Sequence, residues 1–219
     1  MHDKLFTPGP TEVKPELLQE LSTPQIHHRT EEFSEVYDDI QGNLKKLLYT
    51  DNPVFLISSS STGAMEAAVT NASQKCCLNL INGAFGDRWH KITKKNGVPC
   101  DKVEIDWDQP ITPELVDKHL ATGEYDALTV VFNETSTGLM NPIKEIGEVV
   151  KNYEDVVLLV DAVSGMAGAK IKVDEWGIDM CLAGLQKAFS LPSGLAVASV
   201  SEKLLDRAEK VDKRSYYFN

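Results

Sequence analysis

Seven short apolar runs, separated by stretches of helical period, constrain this chain more than any other feature. The runs are Val54–Ile57, Cys76–Ile81, Val103–Trp107, Ala127–Phe132, Val156–Val160, Met180–Ala183 and Leu195–Val200. They are short, often β-branched and not strictly alternating, which is the pattern of strands covered on both faces. Helix candidates fill the gaps: Gly63–Ser73, Asp87–Asn96, Pro113–Ala121, Ile143–Lys151 and Glu202–Lys213. Thr112-Pro113-Glu114 supplies a capping hydroxyl, a proline at the first helical position and an early acid, and Ser201-Glu202 supplies a second cap. Parallel neighbours need long crossovers, and these helices provide them. The fold class is therefore α/β, a mostly parallel seven-stranded sheet between helices.

Residues 1–50 break this rhythm. Thr7-Pro8-Gly9-Pro10-Thr11 reads as a rigid extended lead-in, followed by helices over Pro15–Ser22 and Glu31–Tyr49. The second helix carries Phe33, Val36, Tyr37, Ile40, Leu44 and Leu47 at helical spacing, an apolar stripe for a partner surface or the domain's flank to cover. The expected division is an arm with helices over 1–50 and a ligand-binding large domain over 51–219. Lys plus Arg number 22 and Asp plus Glu 33, a net charge of −11. Such a chain repels phosphate backbones and anionic bilayers, which argues against nucleic-acid and membrane partners. No apolar run approaches the ~20 residues of a membrane span, and Met1-His2-Asp3-Lys4 has no signal-peptide pattern, so the expected location is cytoplasmic. Cys76, Cys77, Cys100 and Cys181 form no C-x-x-C pair; they read as buried thiols in a reducing compartment, and no metal is assigned.

In open α/β sheets ligands bind at the carboxyl ends of the strands, and five segments there carry chemistry. Ser58-Ser59-Ser60-Ser61-Thr62-Gly63 opens a helix after a strand, and its hydroxyls and free amides form a phosphate cradle or, more plainly, an over-capped helix. Asp161 ends the run Val156–Val160, where a partly desolvated acid would hold a cationic ligand atom, cap a helix or make an ion pair. Lys187, between a strand and Leu191-Pro192-Ser193-Gly194, is a candidate nucleophile or a snorkelling surface lysine. Phe85, flanked by Gly83 and Gly86, is a platform for a flat ligand or a core aromatic. Asn133-Glu134-Thr135-Ser136-Thr137-Gly138 is a fifth polar patch or an ordinary turn.

Phosphate cradle, aromatic platform, carboxylate and nucleophilic lysine together form the set that pyridoxal 5′-phosphate needs: donors for its phosphate, a cover for its ring, an acid for its pyridine nitrogen and an amine for its aldehyde. With these residues on the page, the chain resembles a class V aminotransferase of fold type I, in the alanine–glyoxylate/serine–pyruvate group. The matching segments are Thr7-Pro8-Gly9-Pro10-Thr11, His27-His28-Arg29-Thr30, Ser61-Thr62-Gly63-Ala64-Met65-Glu66, Glu134-Thr135-Ser136-Thr137-Gly138, Val160-Asp161-Ala162-Val163-Ser164 and Gly184-Leu185-Gln186-Lys187-Ala188.

The resemblance implies that Lys187 is the Schiff-base lysine and that Asp161 holds the pyridine nitrogen. It further implies that Phe85 stacks on the ring and Val163 packs on its other face. Ser61, Thr62 and Gln186 would hold the phosphate, and Thr135 would lie near the ring hydroxyl. His28 and Arg29 match a motif near the site's mouth without an assigned role. The implied reaction moves an amino group from a small donor such as alanine or serine to a 2-oxo acid such as glyoxylate or pyruvate, in a homodimer. The family chain is longer, so a small C-terminal domain and a substrate-binding arginine are expected to be absent here. Two alternatives stand beside this reading. A desulfurase or β-eliminating relative would place histidine over the ring and next to the lysine, where this chain has Phe85 and Gln186/Ala188. A non-catalytic dimerisation module would use the Phe33–Leu47 stripe alone.

Overall fold

The computed structural model describes residues 3–212 and 215–219. Its strands are β1 (Val54–Ile57), β2 (Cys77–Ile81), β3 (Cys100–Glu104), β4 (Ala127–Val131), β5 (Asn133–Glu134), β6 (Leu139–Met140), β7 (Val157–Asp161), β8 (Met180–Gly184) and β9 (Ala196–Val200). Its helices are α1 (Pro15–Glu20), α2 (Glu31–Leu48), α3 (Ser61–Ala72), α4 (Ala84–Lys95), α5 (Pro113–Leu120), α6 (Ile143–Val150) and α7 (Glu202–Ala208). All seven apolar runs contribute to one sheet of order β1-β9-β8-β7-β4-β2-β3, and β5 and β6 form a separate hairpin. Within the sheet β9 is antiparallel to both its neighbours, and the other pairings are parallel.

The pleat sorts the strand residues onto two faces. Leu78, Leu80, Leu128, Val130, Leu158, Val160, Cys181 and Ala183 pack against α5, α6 and Leu48 at the end of α2. Cys77, Ala127, Val157, Leu159, Leu182, Ala196 and Ala198 pack against α3, α4 and α7 through Met65, Val69, Trp89 and Leu204. Burial on both faces is why these strands read as continuous apolar runs rather than alternating ones. The predicted caps are in place: Thr112 accepts from the Leu115 N–H at 3.3 Å and Ser201 from the Leu204 N–H at 3.1 Å. Thr30 adds a third at α2.

Three elements differ from expectation by three residues or more at a boundary, and the others by two at most. β3 lies at Cys100–Glu104 rather than Val103–Trp107, because it is an edge strand whose position follows from pairing with β2, Cys77 opposite Cys100 and Ile81 opposite Glu104. The end of the predicted run leaves the sheet, and Trp107 is exposed. α4 starts at Ala84, not Asp87, because its first amides are capped from a distant loop. α7 ends at Ala208, and Lys213, the predicted end of that helix, lies outside the described residues. No helix among the described residues is long and apolar enough to cross a membrane.

Candidate active site

Strands β1, β2, β4, β7 and β8 run in one direction, so their carboxyl ends meet at one edge of the sheet. The five polar segments singled out in the sequence follow these strands, and the structure gathers them there. Asp161 closes β7 on the same pleat positions as Val157 and Leu159, so it faces the α3–α4 side. It pairs in register with Leu182 of β8, two residues before Gly184 and five before Lys187.

Asp161 is 1% exposed. Its Oδ1 accepts from the Val163 N–H at 2.8 Å, whereas its Oδ2 is buried with no hydrogen-bond partner among the described residues. Burial pushes the carboxyl up from its usual 3.8 to about 7. The Val163 N–H opposes the rise, the Glu134 carboxylate adds to it, and the charges of Arg88 and Lys187 oppose it. The carboxyl therefore feels both cations, and its Oδ2 is a buried acceptor with no donor among the described residues.

Ser61 is the first residue of α3, and its buried Oγ likewise has no partner among the described residues. A Cβ built on Gly184 would lie 2.4 Å from Ser61 Oγ and 2.6 Å from Gln186 Oε1. The serine hydroxyl and the glutamine amide thus flank a bare backbone at the end of β8, beneath the positive end of a twelve-residue helix. Thr62 follows Ser61 in the first turn and is half-buried, as is Lys187.

Phe85 sits in the first turn of α4, half-buried, with the Arg88 guanidinium 4.7 Å from its ring centroid. Val163 is buried beside Asp161. The Thr135 and Ser164 hydroxyls share a 2.6 Å hydrogen bond that joins the loops after β4 and β7. His28 and Arg29 are exposed in the loop before α2, where the Arg29 N–H donates to His27 Nδ1 at 3.1 Å.

Sequence reasoning gives Glu134 no role of its own, yet it organises one wall of the site. It is fully buried. Its Oε2 accepts from the N–H groups of Phe85 and Gly86 at 3.1 and 3.2 Å, and its Oε1 accepts from the Ser136 N–H at 3.2 Å and hydroxyl at 2.6 Å. Ser136 Oγ also accepts from the Ala84 N–H at 3.0 Å. The β5–β6 hairpin therefore caps α4 and fixes the Phe85 backbone. A Cβ on Gly83 would stand 2.2 Å from Glu134 Cγ, so the glycine makes room for this cap. The available signal is an acid two residues after an apolar run, with a serine hydroxyl two residues further on.

The donor set fits a phosphorylated pyridine aldehyde. Asp161 Oδ2 lacks a donor such as a ring N–H, Ser61 Oγ lacks an acceptor such as a phosphate oxygen, and Gly184 leaves the space between hydroxyl and amide that a side chain would fill. Fold and donors together define the site class of fold type I pyridoxal-phosphate proteins.

Comparison with known proteins agrees. The model of the family described as aminotransferase class V matches residues 8–217, and the chain belongs to that family. An uncharacterized aminotransferase of Methanocaldococcus jannaschii is 42% identical over 219 residues, covering 98% of this chain and 56% of that relative. The solved ureidoglycine–glyoxylate aminotransferase of Bacillus subtilis is 31% identical with a TM-score of 0.92, covering 100% of this chain and 58% of that one. The alanine–glyoxylate aminotransferase of Nostoc sp. is 26% identical with a TM-score of 0.92, covering 100% of this chain and 61% of that one. The chain thus spans a little over half the length of these relatives. The cofactor of this family is pyridoxal phosphate, the group the donor set fits.

Proposed function

We propose that this chain carries the cofactor-binding half of an aminotransferase that moves an amino group from a small amino acid, alanine or serine in type, to a 2-oxo acid, glyoxylate or pyruvate in type. The observation that carries the reading is the pair of buried, unpartnered oxygens, Asp161 Oδ2 and Ser61 Oγ, at the same sheet edge as Lys187. Glyoxylate as acceptor is supported by the names of the Bacillus and Nostoc relatives.

When bound, the cofactor supplies an aldehyde for the amino group and a protonated ring that accepts an electron pair. Lys187 Nζ would hold the aldehyde carbon and, once the substrate amine had displaced it, the freed amine would take the substrate Cα proton as base and return it as acid. Asp161 Oδ2 would accept the ring N–H, where a buried anion would keep that proton in place. Ser61, Thr62 and Gln186 would hold the phosphate at the α3 N-terminus. Phe85 and Val163 would cover the ring and exclude water, and the Thr135 hydroxyl would serve the ring hydroxyl. The protein works as a homodimer in this reading, with the exposed Val36, Ile40 and Leu47 of α2 against a second copy.

Incubation with pyridoxal phosphate and borohydride, followed by peptide mapping, tests the assignment. The expected result is one pyridoxyl adduct on Lys187, absent in Lys187→Ala. An adduct that persists unchanged in Lys187→Ala refutes it.

A further inference from the structure

The lead-in Thr7–Thr11 stands out in the sequence, and the cofactor assignment leaves it without a task. The structure brings it against the lysine. The Thr11 N–H donates to the Gln186 carbonyl at 3.0 Å, and the Thr11 hydroxyl donates to the Lys187 carbonyl at 2.9 Å. Gly9 lies along the lysine side chain itself. A Cβ built there would fall 2.4 Å from Lys187 Cδ, 2.8 Å from Cε and 2.7 Å from Nζ. Gly9 also holds φ at +155°, which side chains rarely adopt. The arm closes on itself through the Thr7 hydroxyl, which donates to the Pro10 carbonyl at 2.9 Å.

We propose that the Thr7–Thr11 arm positions the Lys187 amine: Thr11 pins the backbone of the lysine turn, and Gly9 is the wall, bare of a side chain, along which the lysine's terminal carbons and amine lie. The proposal rests on the reading of Lys187 as the cofactor-binding amine. A lysine side chain is long and flexible, and holding it near the attack geometry raises the reaction rate without adding a contact to the cofactor. The arm itself adds little to the core. Residues 3–10 include no buried position, and neither does α1. Its contacts to Gln186 and Lys187 thus serve the site more than the fold. Gly9 and Thr11 are positioning residues.

The test follows adduct formation in Gly9→Ala and Thr11→Val. The Lys187 amine condenses with the pyridoxal phosphate aldehyde, losing one water as the C=N bond forms, and borohydride then delivers a hydride to the carbon while solvent protonates the nitrogen. For Gly9→Ala the expected rate of adduct formation falls about 10- to 100-fold. Affinity for pyridoxine phosphate, which has no aldehyde, read by fluorescence quenching, stays within about twofold of the parent, and the thermal midpoint within about 2 °C. Thr11→Val, which keeps the N–H bond to Gln186, shows a smaller fall in the same direction, and it carries the test alone if Gly9→Ala does not fold. Parent-like adduct rates in every variant that folds overturn the proposal. Equal losses of adduct rate, affinity and midpoint also overturn it, because they mark a purely structural arm. Absence of any Lys187 adduct in the parent chain instead overturns the assignment of the lysine.

Discussion

Replacing Asp161 with asparagine should stabilise the cofactor-free chain at alkaline pH and weaken the cofactor-bound one. The carboxyl is 1% exposed, and one of its oxygens has no partner among the described residues. Burial raises it from 3.8 to about 7. A carboxyl whose folded value is raised contributes its full stability below the unfolded value, and that stability drains away as pH climbs toward the folded value, because the unfolded chain releases the proton first. The rise is 7 − 3.8, about 3 pH units, and at 1.36 kcal/mol per unit the loss between pH 4 and pH 8 is about 4 kcal/mol. The amide of the variant carries no such titration. Urea unfolding at fixed pH steps should therefore show the parent and Asp161→Asn converging near pH 4, with the variant ahead by up to about 4 kcal/mol near pH 8. Pyridoxal phosphate at saturating concentration should reverse the order at pH 8, since a ring N–H then pairs with the ionised oxygen. A stability difference between the two chains that does not change with pH would refute the account of Asp161 as a buried acid held for a cationic partner.

Three further outcomes follow from the same geometry. Glu134→Ala leaves the Phe85 and Gly86 amides without their carboxylate and should cost about 3 kcal/mol in urea unfolding; Gly83→Ala should act through the same carboxylate, so the double variant costs less than the sum of the singles. Asp126 accepts from the Ser73 hydroxyl at 2.6 Å, the Gln74 and Lys75 amides at 2.8 Å and Arg207 Nη1 at 3.2 Å, tying α3, β2 and α7 together. Asp126→Ala takes the acceptor from the Ser73 hydroxyl and the two amides and the counter-charge from the mostly buried Arg207, which keeps the Asp155 carbonyl; the loss should be about 3 kcal/mol, with a loss under about 1 kcal/mol contradicting the hub. Ser61→Ala removes a hydroxyl with no partner among the described residues, so the cofactor-free thermal midpoint should hold or rise, while pyridoxal phosphate affinity falls about tenfold by titration.

The sheet is legible in the sequence because its signals are local, and the same signals single out two candidate site residues. The central strands β4, β7 and β8 lie within one residue of their expected bounds, since a strand buried at every position is written as an apolar run. Asp161 and Lys187 stand out because a charged group directly after such a run has no local reason to be there. β3 is displaced because an edge strand's limits come from its neighbour's hydrogen bonds, not from its own side chains. The start of α4 escapes sequence reasoning for a related reason: its cap comes from Glu134 and Ser136, about fifty residues away in sequence, and no pattern near Ala84 encodes them. The arm's contact with Lys187 is beyond local reasoning as well, since Thr11 and Lys187 are joined by tertiary structure alone.

The cofactor-free site departs from the rule that buried polar groups find partners, at Asp161 Oδ2 and Ser61 Oγ. Trp89 Nε1, Asn133 Oδ1 and Ser199 Oγ also lack partners among the described residues; like Ser61 Oγ each is neutral, whereas a carboxylate left unpaired in the interior costs far more. Other buried polar side chains do find partners: Asn79 Oδ1 accepts from both Thr93 and Thr129 at 3.1 Å, and Asn141 bonds to Asn82 and the Val131 carbonyl. An unmet acid and an unmet hydroxyl, both at the carboxyl edge of the sheet, are expected where a ligand completes the structure. Ligand binding must then raise stability by the usual mass-action relation, about 2.7 kcal/mol at roughly a hundred times the dissociation constant. Because an unpaired Asp161 is penalised most when it is ionised, a cationic ring should gain affinity relative to a phosphorylated analogue without the ring nitrogen as pH rises from about 5 toward about 7, the phosphate of both titrating alike. The pH dependence of affinity thus separates recognition of the ring from recognition of the phosphate.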